Sequence, residues 1–183
     1  FLNLCRSQRD IARVLRKSAD CWHPDRLSNP TKAMELLDQA ESLGDIEVVE
    51  LGRIKELRGS ISAYTGALSD AERFYAEAEK LFEQAGATED LGLTLIDYDE
   101  LYLSLGLVQK ALEKGKRAIA LFSSLQSLGG EMAASYQLGD TYFHLGLVRE
   151  ALDSYAKVLE IATKFGRYSA LAWAYLYRGL VYY

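Results

Sequence analysis

The sequence predicts an all-α protein of stacked helix pairs, and three observations lead there. Gly66, Gly106 and Gly146 stand 40 residues apart, and Ala71, Ala111 and Ala151 keep the same interval. LGLVQKAL at Leu105–Leu112 returns almost unchanged as LGLVREAL at Leu145–Leu152. Apolar residues recur at helical spacing, strand-like alternation is absent, and the 183 residues include only two prolines. A unit repeated in tandem is one supersecondary element stacked on copies of itself, since a single copy cannot bury its own apolar face.

The clearest copy runs from Leu138 to Val158, LGDTYFHLGLVREALDSYAKV. Leu138-Gly139 is followed by Tyr142, then Gly146, Ala151, Tyr155 and Val158. This order resembles the tetratricopeptide repeat (TPR), in which L-G-x-x-Y precedes A-x-x-x-F/Y. Gly139 recurs as Gly179, Tyr142 as Tyr182, and Tyr75 as Tyr155, with Gly115 between them. The usual repeat of that family has about 34 residues. The longer period here is similar to the repeats of large signalling ATPases, bacterial transcriptional regulators and kinesin light chains. The extra residues are expected mainly between the second helix of one unit and the first of the next. Asp99 stands where other units have glycine, and Arg58 and Tyr98 where they have leucine. The resemblance implies a right-handed superhelical solenoid of antiparallel helix pairs, with about nine helices in all.

The elements follow in order. Residues 1–45 read as a degenerate first repeat. Its first helix runs from Phe1 to Trp22 with Ile11, Leu15, Ala19 and Trp22 on one face. Asn29 can cap the second helix, Thr31–Leu43, with Pro30 in its first turn. Residues 46–88 form the next repeat, with Leu51, Ile54, Leu57 and Ile61 striping one helix and Ala71, Phe74, Tyr75, Ala78 and Phe82 the other. Gly66, Gly106 and Gly146 sit just past helical patterns, where a left-handed cap costs glycine least. Ser69 with Glu72 reads as a capping box. Residues 89–130 form a further repeat that Leu128-Gly129-Gly130 would end. Residues 131–167 follow, and 168–183 begin a truncated fifth. One continuous domain is the simplest description.

Composition bounds the function. A formal charge of −5 gives the chain as a whole no reason to seek nucleic acid or an anionic membrane. No signal peptide and no bilayer-spanning apolar run is present. Cys5 and Cys21 are too few for a disulfide framework, and reduced cysteines in a cytoplasmic protein are expected. The chain opens without methionine and ends inside a helix that lacks its pair-mate, so a piece of a longer protein is expected. Cys21, His23 and Asp25 lack the paired spacing of a zinc site, so no metal and no cofactor is expected. There is no P-loop, nucleophile elbow or dinucleotide fingerprint, which argues against an enzyme.

Two features of the first helix and its end stand apart. Arg6, Arg9, Arg13 and Arg16 form a stripe that reads as a solvated face, or alternatively as a surface for phosphates or an acidic partner. A basic helix ending in His23-Pro24-Asp25 resembles helix two of a J-domain, which would imply a chaperone cofactor. Ser18 and Asp20 depart from the apolar positions of that family. The simpler reading is a proline helix stop.

The TPR resemblance also implies where a ligand would sit, because the first helix of each pair lines the concave side. Carried over, this selects Arg53, Glu56 and Tyr64, then Ile96, Glu100 and Leu103. Tyr136, Asp140, Phe143 and His144 follow, with Trp173, Leu176 and Leu180 last. The lysine and asparagine clamp by which some members hold acidic chaperone tails is missing, since those positions carry Glu56, Ser60, Ile96, Glu100, Tyr136 and Asp140. The expected function is a non-catalytic protein–protein interaction module of a larger regulatory protein. Its partner would be a protein or peptide segment with basic and apolar residues. A spacer or oligomerisation segment that self-associates through its open C-terminal edge is the alternative. Tyr75, Tyr102, Tyr142, Tyr155 and Tyr182 are expected to fill the core.

Overall fold

The computed structural model describes residues 8–21 and 29–181, without the side chains of residues 169, 173, 180 and 181. Among the described residues are nine helices and no strand: α1 (Gln8–Cys21), α2 (Pro30–Glu41), α3 (Val48–Tyr64), α4 (Leu68–Ala85), α5 (Thr88–Ser104), α6 (Val108–Ser124), α7 (Leu128–His144), α8 (Val148–Lys164) and α9 (Tyr168–Val181). Val48, Thr88, Leu128 and Tyr168 each open a first helix, in step with the 40-residue phase of the sequence.

Small residues on one helix receive aromatic rings from the next. A Cβ on Gly52 would stand 2.6 Å from Phe82, and one on Gly59 would stand 2.6 Å from Tyr75. Since the later glycine meets the earlier ring, α3 and α4 run antiparallel. Gly92 with Phe122, and Gly139 with Tyr155, repeat the arrangement. Ala71, Ala111 and Ala151 are fully buried at the same crossings. Close backbone approach and a ring in the space it leaves are what hold each pair together.

The chain clusters into two compact units, divided between Asp90 and Leu91. In the first, Leu15, Ala19, Leu37, Ile54, Leu57 and Ile61 share one core. The described arginines of the α1 stripe pair with acidic residues at and before the start of α3. Arg9 and Arg13 are exposed and reach Asp45 and Glu47 at 3.2 and 3.8 Å, while Arg16 is partly buried and reaches Glu50 of α3 at 2.6 Å. Arg58, in the leucine position of the repeat, is buried and pairs with Asp38 and Glu41 of α2 at 2.6 and 2.7 Å. In the second unit, Val158, Leu159 and Ala174 form a core that Met132, Tyr136 and Leu171 pack against.

Asn29 caps α2 as expected, its side chain accepting from the Lys32 amide at 3.0 Å. Several sequence expectations are corrected. The long period is not taken up between repeats; connections from α3 onward span two or three residues, and the helices are longer instead. Ser69 lies inside α4, whose cap is Ala67, with no side-chain capping bond. Leu128-Gly129-Gly130 does not end the third repeat but opens α7, because the left-handed turn before it falls on Gln126, with φ +54°. Tyr142 is only half-buried, whereas Tyr75, Tyr102 and Tyr155 are buried. Cys5, Arg6, Trp22, His23-Pro24-Asp25 and Tyr182 lie outside the described residues.

Candidate functional site

A concave surface lies within the second unit, where α5, α7, α8, α9 and the α8–α9 connection contribute side chains to two adjoining cavities. The first, about 510 Å³, is apolar along Ile96, Met132, Ala133, Tyr136, Val158, Ala170 and Tyr177, with Gln137 and Arg167 at its margin. The second, about 410 Å³, is lined by Glu100, Leu103, Ser104, Asp140 and His144, and it shares Tyr136, Gln137 and Tyr177 with the first. The two tyrosines thus form a wall between an apolar chamber and an acidic one.

That wall is held from behind. The Tyr136 ring meets Tyr177 edge-on at 5.2 Å between centroids, and Tyr155 stands 6.4 Å from Tyr136 and 5.8 Å from Tyr177. Aromatic groups at these separations attract through ring edges and faces. The Tyr155 hydroxyl donates to Asp140 Oδ1 at 2.9 Å, which fixes the carboxylate at the cavity margin. Burial raises the pKa of Asp140, while the Tyr155 hydrogen bond and His144 oppose that rise. Burial likewise raises the phenol pKa values of Tyr136 and Tyr155, so both remain protonated donors at neutral pH. His144 Nδ1 donates to the Asp140 carbonyl at 2.9 Å.

A buried carboxyl lies beneath this surface. Asp99 is fully buried, and its Oδ1 accepts from Thr141 Oγ1 at 2.7 Å. Oδ2 has no hydrogen-bond partner among the described residues. Burial pushes the Asp99 carboxyl up to about 7, with Asp140 and Glu100 adding to the rise and the Thr141 bond opposing it.

The residues selected from sequence divide into groups. Ile96, Glu100, Leu103, Tyr136, Asp140 and His144 come together around the two cavities. Phe143 is exposed beside His144, its ring edge-on at 5.9 Å, and it lines neither cavity. Leu176 is exposed and also lines neither, and the side chains of Trp173 and Leu180 lie outside the description. Arg53, Glu56 and Tyr64 belong to the first unit. Arg53 is engaged there by Asp90 through bonds of 2.7 and 3.1 Å, and its pKa is raised chiefly by that pairing. Glu56 is half-buried and Tyr64 exposed. The sequence reading missed Tyr177, Gln137, Met132 and Arg167. One signal was available: Tyr177 follows Gln137 by one repeat, a single position beyond the Leu176 that the phase selects from Tyr136. Among the described residues no cluster of histidine, cysteine, aspartate and glutamate has the makings of a metal site.

No protein-family model matches the sequence, and no curated protein is recognisably similar to it. Solved structures are similar in fold. Aspartyl phosphate phosphatase F from Bacillus subtilis superposes with a TM-score of 0.89 at 18% identity, over 98% of this chain and 47% of that one. A signal transduction ATPase with numerous domains and a tetratricopeptide repeat sensor, from Pyrococcus horikoshii, gives 0.83 at 17% identity, over 96% and 28%. A protein from Podosopora anserina, described as a kinesin light chain with nearly identical TPR-like repeats, gives 0.72 at 16%, over 96% and 90%. The chain therefore has the fold of the TPR-like helical-repeat proteins. It spans about half the length of the first of these structures and under a third of the second.

Proposed function

We propose that this chain is a protein-interaction module, working as a non-catalytic part of a larger cytoplasmic regulatory protein. The groove of the second unit binds a peptide segment that carries an apolar anchor and a nearby lysine or arginine. One observation carries this reading: the apolar chamber and the acidic chamber share the Tyr136–Tyr177 wall. An apolar side chain fits against Ile96, Met132 and Val158, and a cationic one is drawn to Glu100 and Asp140. Interface affinity concentrates in a few aromatic and charged anchors, and Tyr136 with Asp140 has that composition. Phe143 extends the contact at the rim. TPR-like folds in the solved neighbours belong to a sensor and to a described kinesin light chain, which supports a binding role.

The test is selection of a random peptide display library on the 183-residue chain. The enriched peptides should pair an apolar residue with lysine or arginine a few positions away. Tyr136→Ala should weaken their binding generally, and Asp140→Asn should weaken only those with the cation. Enrichment of acidic peptides, or indifference to both substitutions, would refute the groove reading.

A further inference from the structure

Building on the groove reading, we propose that a cationic ligand enters the acidic chamber with release of a proton from the buried Asp99, so that affinity for arginine- or lysine-bearing segments rises through neutral pH. Three carboxyl groups stand together in the second unit. Glu100 and Asp140 line the acidic chamber. Asp99, the residue before Glu100 on α5, lines neither chamber and is fully buried. Its Oδ1 accepts from Thr141 at 2.7 Å, and Thr141 follows Asp140 on α7. The buried carboxyl is therefore bonded to the same turn of α7 that presents Asp140 to the groove.

The surroundings of Asp99 leave its charge to be set from the groove. Among the described residues no cation pairs with it, and Oδ2 has no hydrogen-bond partner. From α6, Gly115 faces Oδ2 without a side chain, while Lys114 and Lys116 on either side lie over the Tyr98 and Tyr142 rings at 4.5 and 6.0 Å. From α5 and α7 the charges that act on it are Glu100 and Asp140. Burial, and then those two charges, push its titration to about 7 against the Thr141 bond. A bound arginine or lysine beside Glu100 and Asp140 cancels part of that field, so Asp99 gives up its proton more readily. The coupling is reciprocal: ionised Asp99 adds a third negative charge behind the chamber and tightens its hold on the cation. Thr141 can follow the change, because its one hydroxyl proton has two acceptors in reach, Asp99 Oδ1 and the Gln137 carbonyl at 3.3 Å. Ionised Asp99 takes that proton as a hydrogen bond; protonated Asp99 donates to Thr141 instead and leaves it to Gln137.

The probe is a peptide from the library selection, capped at both ends and carrying arginine as its only ionisable group. Isothermal titration calorimetry near pH 7, in phosphate and in Tris, counts the protons released. If the ligand lowers the Asp99 titration by about one unit, about 0.4 proton should be released, and affinity should rise about sevenfold from pH 5.5 to 8.5. Asp99→Asn should lose this release and flatten the pH profile, and circular dichroism will show that it keeps its helices. His144 lines the same chamber, and histidine also changes charge near neutrality, but its contribution is common to parent and variant and drops out of the difference. In the unmutated chain, the Asp99 carboxyl carbon followed by NMR should titrate lower with the arginine peptide than without it, and should not move with a selected peptide lacking the cation. Equal proton release by parent and Asp99→Asn, or an Asp99 titration indifferent to the arginine peptide, would overturn this linkage and leave the groove reading standing. A selection that yields no cationic peptide would overturn both.

Discussion

Gly115 lies against Asp99 where, one repeat later, Tyr155 lies against Gly139. The small and large partners have changed helices: the first helix carries the carboxyl and the second helix gives way. A Cβ on Gly115 would run into Asp99 Oδ2 and approach Leu138 Cδ1 at 3.1 Å. Asp99 cannot swing aside freely, since it is buried and bonded to Thr141. Gly115→Ala gains about 1 kcal/mol of helix propensity in isolation, but it should destabilise this protein by about 1–3 kcal/mol through overpacking. In an Asp99→Gly background the same substitution should become neutral or stabilising. A double-mutant cycle by chemical denaturation measures the coupling, and additive effects would mean the two sites do not touch as described.

Asp99 also makes stability depend on pH in a direction opposite to most carboxylates. Its folded pKa of about 7 lies above the ordinary value, so the native state holds a proton that the unfolded chain releases. The stabilisation linked to that proton is complete below about pH 4 and is lost as pH rises through 7. At about 1.4 kcal/mol per unit, the loss approaches a ceiling of about 4 kcal/mol. Asp99→Asn keeps an acceptor for Thr141 and removes the titration. Thermal melts from pH 4 to 8.5 should show the variant gaining on the parent between about pH 4 and 7 and levelling off above that, and parallel curves would exclude this role for Asp99.

Gln126 holds the left-handed backbone conformation that its counterparts Gly86 and Gly166 adopt, with φ +54° against +65° and +62°. A side chain in that region costs about 1–2 kcal/mol. Gln126→Gly should therefore raise stability by about 1 kcal/mol after allowing for the freer unfolded chain. Differential scanning calorimetry would register this as a higher midpoint with unchanged helix content.

Much of the fold was legible because the repeat phase fixes where helices begin, and the glycines at 66, 106 and 146 mark left-handed turns with φ of +71° to +81°. The same rule misled at Gly129-Gly130. Gly130 is small so that Phe122 can lie on it, while the turn falls on a glutamine. A local reading cannot separate a glycine used for conformation from one used for contact. The site was legible as a helix face, which found Tyr136, Asp140 and Glu100. It did not reach Tyr177, because one position of rotation separates it from the phase-matched Leu176. Nor could it see that Arg53 is engaged, because Asp90 stands 37 residues away.

Arg58 and Glu41 test why the first unit tolerates a charge in a leucine position. Glu41 sits between Lys55 at 2.6 Å and Arg58 at 2.7 Å, and Asp38 also reaches Arg58. Removing one partner of a buried pair strands the other, at about 3–5 kcal/mol for full burial. Glu41 is about a quarter exposed and Asp38 remains as a second partner, so Glu41→Ala should cost about 1–3 kcal/mol. Arg58→Leu restores the repeat pattern and leaves Glu41 with Lys55, so it should be nearly neutral. Urea denaturation that ranks the two the other way would contradict the arrangement.

Phe143 separates recognition from packing. Its ring is exposed at 38%, and its one described ring contact is His144, the next residue on α7. Tyr136 lies seven positions earlier on the same helix face but is built into a cluster with Tyr155 and Tyr177. Truncating an exposed side chain away from the core usually changes stability by no more than about 0.5 kcal/mol. Losing an aromatic anchor from an interface commonly costs about 2 kcal/mol or more. Phe143→Ala should therefore leave the thermal midpoint nearly unchanged and weaken the groove-selected peptides. Tyr136→Ala should lower both, because it also opens the wall between the chambers. Calorimetric titration alongside thermal melts distinguishes the two effects. If Phe143→Ala unfolds the domain, the residue belongs to the core, and the rim of the groove must be drawn without it.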